Sequence, residues 1–184
     1  MNALSDANVA AYLHDRVVAT YLKVGTFQIV GNRKIGGNVA SYFCLPDGTV
    51  LHAVVGPANG SKFLSEARWA WEIRKTALTH ATDLATGVVA ADRLRREITK
   101  AHEERFAASV MNSQLAGRLR AATAEHGKPG LGVSRADLPR HANQQAQVHW
   151  LLATRSLAPI DEIYPIVWQE ILREQLSSLP VAMQ

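Results

Sequence analysis

Cysteine occurs once in the 184 residues, as Cys44, which excludes an internal disulfide and any zinc site made of four thiolates. Long apolar runs are lacking too: no stretch approaches the roughly 18 residues of a membrane-spanning helix. The opening Met1-Asn2-Ala3-Leu4-Ser5-Asp6 lacks the basic and apolar regions of a secretory leader, so a cytoplasmic location is expected. Acidic residues are outnumbered, 16 Asp and Glu against 20 Lys and Arg, for a formal net charge of +4. What is present is ordinary globular composition, 47% hydrophobic and 20% charged, long enough to bury a core unaided by metal or disulfide.

The charge is uneven. Residues 1–73 carry six Lys and Arg against five Asp and Glu, residues 74–140 twelve against seven, and residues 141–184 two against four. Within the basic middle, Arg93, Arg96 and Lys100 share a helical face by three- and four-residue steps, a candidate for anion or nucleic-acid binding. Asp92, Glu97, Glu103 and Glu104 are interleaved, however, as on a solvated helix, and no aromatic-bearing nucleic-acid module accompanies the face.

Ser5 or Asp6 can cap a short helix bearing Val9, Tyr12 and Leu13. The β-branched and aromatic run Val17 to Val24 reads as a strand. Gly25 to Gly37 holds a short apolar stretch, Phe27 to Val30, among loop-like glycines. Val39 to Leu45 and Thr49 to Val55 read as strands joined by the turn Pro46-Asp47-Gly48, an antiparallel hairpin. From Ser61 to Glu125 the pattern is helical, with a weak point at Thr86-Gly87 that divides it into at least two helices. Leu94, Ile98, His102, Phe106 and Val110 recur every four residues. Residues 126–143 are rich in glycine and proline and read as a loop, and Gln145 to Thr154 and Asp161 to Gln175 as two helices. Pro165 is expected in a first helical turn, where its missing N–H has no intrahelical role.

The order helix, strand, glycine-bearing loop, strand, Pro-Asp-Gly turn, strand, glycine, helix over Ser5 to Trp71 resembles the later part of a thioredoxin-like domain. The residues that carry it are Asp6 to Leu13 before Val17 to Val24, and Phe43 to His52 with Gly56 and Phe63-Leu64. The chain departs from that family where redox chemistry resides. It has no Cys-x-x-Cys pair, and Gly36-Gly37-Asn38 lacks the cis-proline that precedes the corresponding strand. Dithiol exchange needs an attacking and a resolving thiol. The resemblance therefore implies a degenerate, non-redox member with a strand edge to be covered by Phe27–Val30, by the helical extension or by another chain.

Other candidate sites are sparse. Cys44 lies between Phe43 and Leu45 in a strand, where a small buried hydrophobe is expected over a redox nucleophile. The seven histidines include no pair at i, i+4, and His102-Glu103-Glu104 is only a fragment of His-Glu-x-x-His. His126 and His141 flank the glycine-rich loop, His80 and Asp83 are one helical turn apart, and Gly127 to Ser134 lacks phosphate-loop spacing. No metal or cofactor is expected. Trp71, Trp150, Tyr164 and Trp168 are core or interface candidates.

The expected fold is α/β, a small incomplete thioredoxin-like sheet with a mainly helical C-terminal extension. Its parts are an α/β unit at 1–73, helices at 74–125, a loop at 126–143 and a helical pair at 144–184. The expected function is that of a non-catalytic interaction or structural protein, a subunit that binds another protein chain or itself. The alternatives are a thiol enzyme using Cys44 and a nucleic-acid binder using the basic helix.

Overall fold

The structure, a computed structural model, describes residues 3–25, 27–30, 33–36, 38–110, 114, 117–121, 138–140 and 142–177. The turn Pro46-Asp47-Gly48 organises its centre. Gly48 adopts φ +83°, Asp47 accepts from the Thr49 N–H at 2.9 Å, and the flanking runs pair as antiparallel strands. Among the described residues four strands form, but as two separate two-stranded sheets. β1 (Phe27–Val30) pairs with β2 (Arg33–Gly36), and β3 (Ala40–Cys44) with β4 (Val50–Val55). This closes one alternative and corrects one expectation. Phe27–Val30 does not extend the central sheet, and Val17–Val24 forms no strand. β propensity reflects fit to a pleated surface more than backbone preference, and among the described residues no strand pairs with this run.

The helices follow their local signals. α1 (Ala7–His14) is capped by the Asp6 carboxylate, which accepts from the N–H groups of Asn8 and Val9. α2 (Gly60–Ala81) is capped by Asn59 through the Lys62 N–H and runs across the boundary drawn at residue 73. α3 (Ala91–Ser109) follows a break at Gly87, whose φ of +69° suits glycine. α4 (Gln144–Thr154) is capped by Asn143, and α5 (Ile160–Ile166) opens at Pro159. Pro165 sits in the second turn of α5, not the first, and the following Val167–Ile171 is π-helical. A proline that withholds its N–H loosens the ladder, and a widened turn is one way to absorb that. The readings of Gly127 to Ser134, His126 and His141 lie outside the described residues.

β4 is buried at all six positions. Its residues contribute to two apolar clusters: Val50, Ala53 and Val55 with Phe106, Trp150, Leu152, Ile163 and Trp168, and Leu51 with Ile73, Ala77, Leu94 and Ile98. A third cluster seats α1 through Ala3, Val9 and Phe63. The edge of β4 away from β3 is covered by the helical extension. Ala158 accepts from the Val50 N–H at 3.0 Å, His102 bonds the Leu51 carbonyl at 2.9 Å, and the Gln145 amide both donates to Ala53 O and accepts from Val55 N–H.

Candidate metal centre

Three histidines with no local motif in common meet beside β4. Each is carried inward by its element. His52 lies in the fully buried run Val50–Val55. His102 rides the four-residue stripe Leu94, Ile98, Phe106, all buried on α3. His149 belongs to α4, which is buried continuously from Ala146 to Thr154. Their exposures are 0%, 0% and 3%.

Hydrogen bonding sets their tautomers. The Leu51 carbonyl can only accept, so His102 carries its proton on Nε2, and its Nδ1 accepts from the Nδ1–H of His149 at 2.9 Å. His52 Nε2 lies 3.0 Å from Glu66 Oε2, which holds the proton there. Its Nδ1 is then an unprotonated acceptor, buried and without a hydrogen-bond partner. Burial lowers the pKa of His52, against the opposing pull of Glu66. Burial, and after it the field of His52, pushes His102 down to about 3. His149 is pushed down by burial and by His102. The hydrogen bond from His52, more than any other cause, holds Glu66 below the usual carboxylate range. His52 and Glu66 are therefore a neutral imidazole on a carboxylate rather than an ion pair, and all three rings are in the neutral form that ligates metals.

One ring nitrogen from each histidine lies within 4.8 Å of the other two. A tetrahedral ion with bonds of about 2.0–2.1 Å holds its ligands about 3.4 Å apart. Closing the triad on one ion requires the His102–His149 hydrogen bond to open and the rings to turn. Metal-bound histidines ordinarily donate their other N–H to a carboxylate or a backbone carbonyl. Glu66 and Leu51 O are one of each. Trp69 packs edge-on against all three rings, with centroids 4.7, 5.2 and 5.5 Å away. The Arg105 guanidinium lies 4.6 Å over the Trp69 ring and 3.8 Å from Glu66 Oε1.

The residues singled out from sequence lie elsewhere. Cys44 is exposed at the end of β3, where a register shift follows Phe43, so it is not the buried hydrophobe expected. Partial desolvation, and then Asp47, push its thiol up, the wrong direction for a nucleophile. Trp150 and Trp168 are core residues, Tyr164 is half-buried against the same cluster, and Trp71 is half-buried under Arg74. Arg93, Arg96 and Lys100 are exposed on α3. His80 bonds Glu97 rather than Asp83, whose carboxylate caps the turn at Ala85 and Thr86. No helix among the described residues is long and apolar enough to cross a membrane. No protein-family model, curated protein or solved structure matches the chain.

Proposed function

We propose that this protein binds a divalent transition metal, zinc by ligand preference, through His52, His102 and His149. The observation that carries the reading is the buried Nδ1 of His52, which holds a lone pair and has no hydrogen-bond partner, on a ring that clusters with His102 and His149. A buried polar atom left unpaired costs about 1–3 kcal/mol. A metal ion converts that cost into a bond. Three neutral imidazoles suit zinc, and three protein ligands, rather than four, are the pattern of sites that keep a position for an exogenous ligand.

The test is metal content of the purified protein together with thermal unfolding in added Zn2+, Co2+ or Ni2+. Binding is expected to raise Tm, with about 2.7 kcal/mol of stabilisation at a free-metal concentration 100 times Kd. Substitution of His149 by Ala should abolish the rise. Metal-free protein whose Tm none of the three ions raises would overturn the reading.

A second reading retains the expected subunit role. It is supported by Val18 and Tyr21, 98% and 94% exposed in a stretch without regular structure that also exposes Leu22. Contiguous exposed apolar side chains favour a protein partner or self-association. The likeness of residues 5–71 to a thioredoxin-like unit draws support from the sequence α1, β3–β4 hairpin, α2, and is weakened by the missing strand at Val17–Val24. A Val18, Tyr21, Leu22 triple change to Ser should release the partner or lower the oligomeric state in light scattering, and no change in either counts against this role.

A further inference from the structure

Resting on the metal reading above, we infer that the fourth coordination position takes one small monovalent anion, hydroxide or an anion of two or three heavy atoms. Charge balance requires it. Three neutral imidazoles leave a dication's charge undiminished, and no Asp, Glu or Cys joins the triad among the described residues. Glu66, on α2, offsets one unit from behind His52. Arg105, on α3, stands 3.8 Å from Glu66 and restores it, and Lys62, on α2, adds a further positive field at Glu66. From β4 and α4 the groups in the cluster are His52 and His149, both neutral. The loaded centre thus carries close to two positive charges inside the protein. Buried charge of that size is costly unless paired, and the bound ion is the largest local charge in such a site. A neutral fourth ligand leaves the excess in place, whereas an anion halves it.

Size follows from the walls. His52 and His102 are fully buried, and the Trp69 indole is in contact with all three rings, so a fourth ligand shares its space with that indole. The neighbours Arg105 and Glu66 then act in opposite senses. Arg105 favours the anion, and Glu66, by adding negative charge behind His52, disfavours it.

The experiment uses the full chain loaded with Co2+, whose visible absorption reports the coordination sphere. Azide is the probe, titrated at constant ionic strength, with acetamide as the neutral control. A saturable change in the cobalt bands with azide and none with acetamide is expected. Arg105→Ala should weaken azide by about tenfold and Glu66→Gln, which keeps an acceptor for His52, should tighten it by a smaller factor. If Arg105→Ala does not fold, Lys62→Ala, at an exposed position, should weaken azide by about twofold. Cobalt bands that azide leaves unmoved, or that acetamide moves equally, would overturn the anion inference while the metal centre stands. Azide binding indifferent to the charge variants overturns the charge argument. No cobalt bands at all would overturn the metal reading, and this inference with it.

Discussion

Two histidine–carboxylate pairs of nearly equal length occupy opposite surroundings. His52 Nε2 and Glu66 Oε2 are 3.0 Å apart inside the molecule, and His80 Nδ1 and Glu97 Oε2 are 3.1 Å apart on its surface, bridging α2 and α3. Distance alone makes them equivalent. Surroundings do not. At the surface, water and salt screen the attraction, and either partner can solvate itself when the other leaves. In the interior Glu66 is what satisfies His52 Nε2, and that bond decides which nitrogen of His52 faces the triad. One pair is a surface contact; the other fixes the proton of a histidine in the proposed metal triad.

The comparison breaks first, and most strongly, at His102. His102→Ala removes a fully buried ring and leaves the Leu51 carbonyl without its partner, so urea unfolding should show a loss of about 3 kcal/mol. His80→Ala should stay within about 0.5 kcal/mol of the parent. Equal losses would mean that burial does not separate the two sites. Next is Glu66→Ala, expected to cost about 2 kcal/mol as His52 loses its acceptor, and to lower metal affinity about 10- to 100-fold. Glu97→Ala should alter metal affinity not at all, as calorimetric titration with Zn2+ can check.

A pH series sharpens the comparison more gently. His102 stays neutral in the folded chain down to about 3, whereas an unfolded histidine protonates near 6.5. His52 and His149 are shifted in the same direction. Between these limits the unfolded state binds more protons, so stability is fully present above about pH 6.5 and is lost as pH falls toward 3. Metal-free protein should show this decline in Tm, and His102→Ala a shallower one. Saturating Zn2+ should move the decline to lower pH, because the metal competes with protons for the same lone pairs.

Much of the frame was legible from local chemistry. Pro46-Asp47-Gly48 announced the hairpin, Asp6 the start of α1, and Thr86-Gly87 the break between α2 and α3. Val17–Val24 misled because propensity says nothing about whether a partner strand is at hand. The triad was hidden for a different reason. His52, His102 and His149 are about 50 residues apart and come from a strand and two helices, so no spacing rule joins them. Each did carry a trace of its role. His52 interrupts an apolar run, His102 holds a place in a stripe otherwise made of Leu, Ile and Phe, and His149 sits between Val148 and Trp150. A single histidine on an apolar face is ordinarily a satisfied core residue. Three such placements in one chain are a stronger signal than any of them alone, but their convergence belongs to tertiary structure.

Gln145 closes the outer edge of β4 with a single amide that gives one hydrogen bond and takes another, as a neighbouring strand would. That guard is borrowed from α4 and leaves with it. A partly opened molecule in which α4 has come away exposes unpaired backbone groups and the apolar run Val50–Val55 together, the combination from which intermolecular β-stacking grows. The same event dismantles the metal triad, since His149 departs on the same helix. An ion that keeps α4 seated would then do more than occupy a site: it would protect the protein's solubility, and chelation would show itself first as turbidity during mild heating.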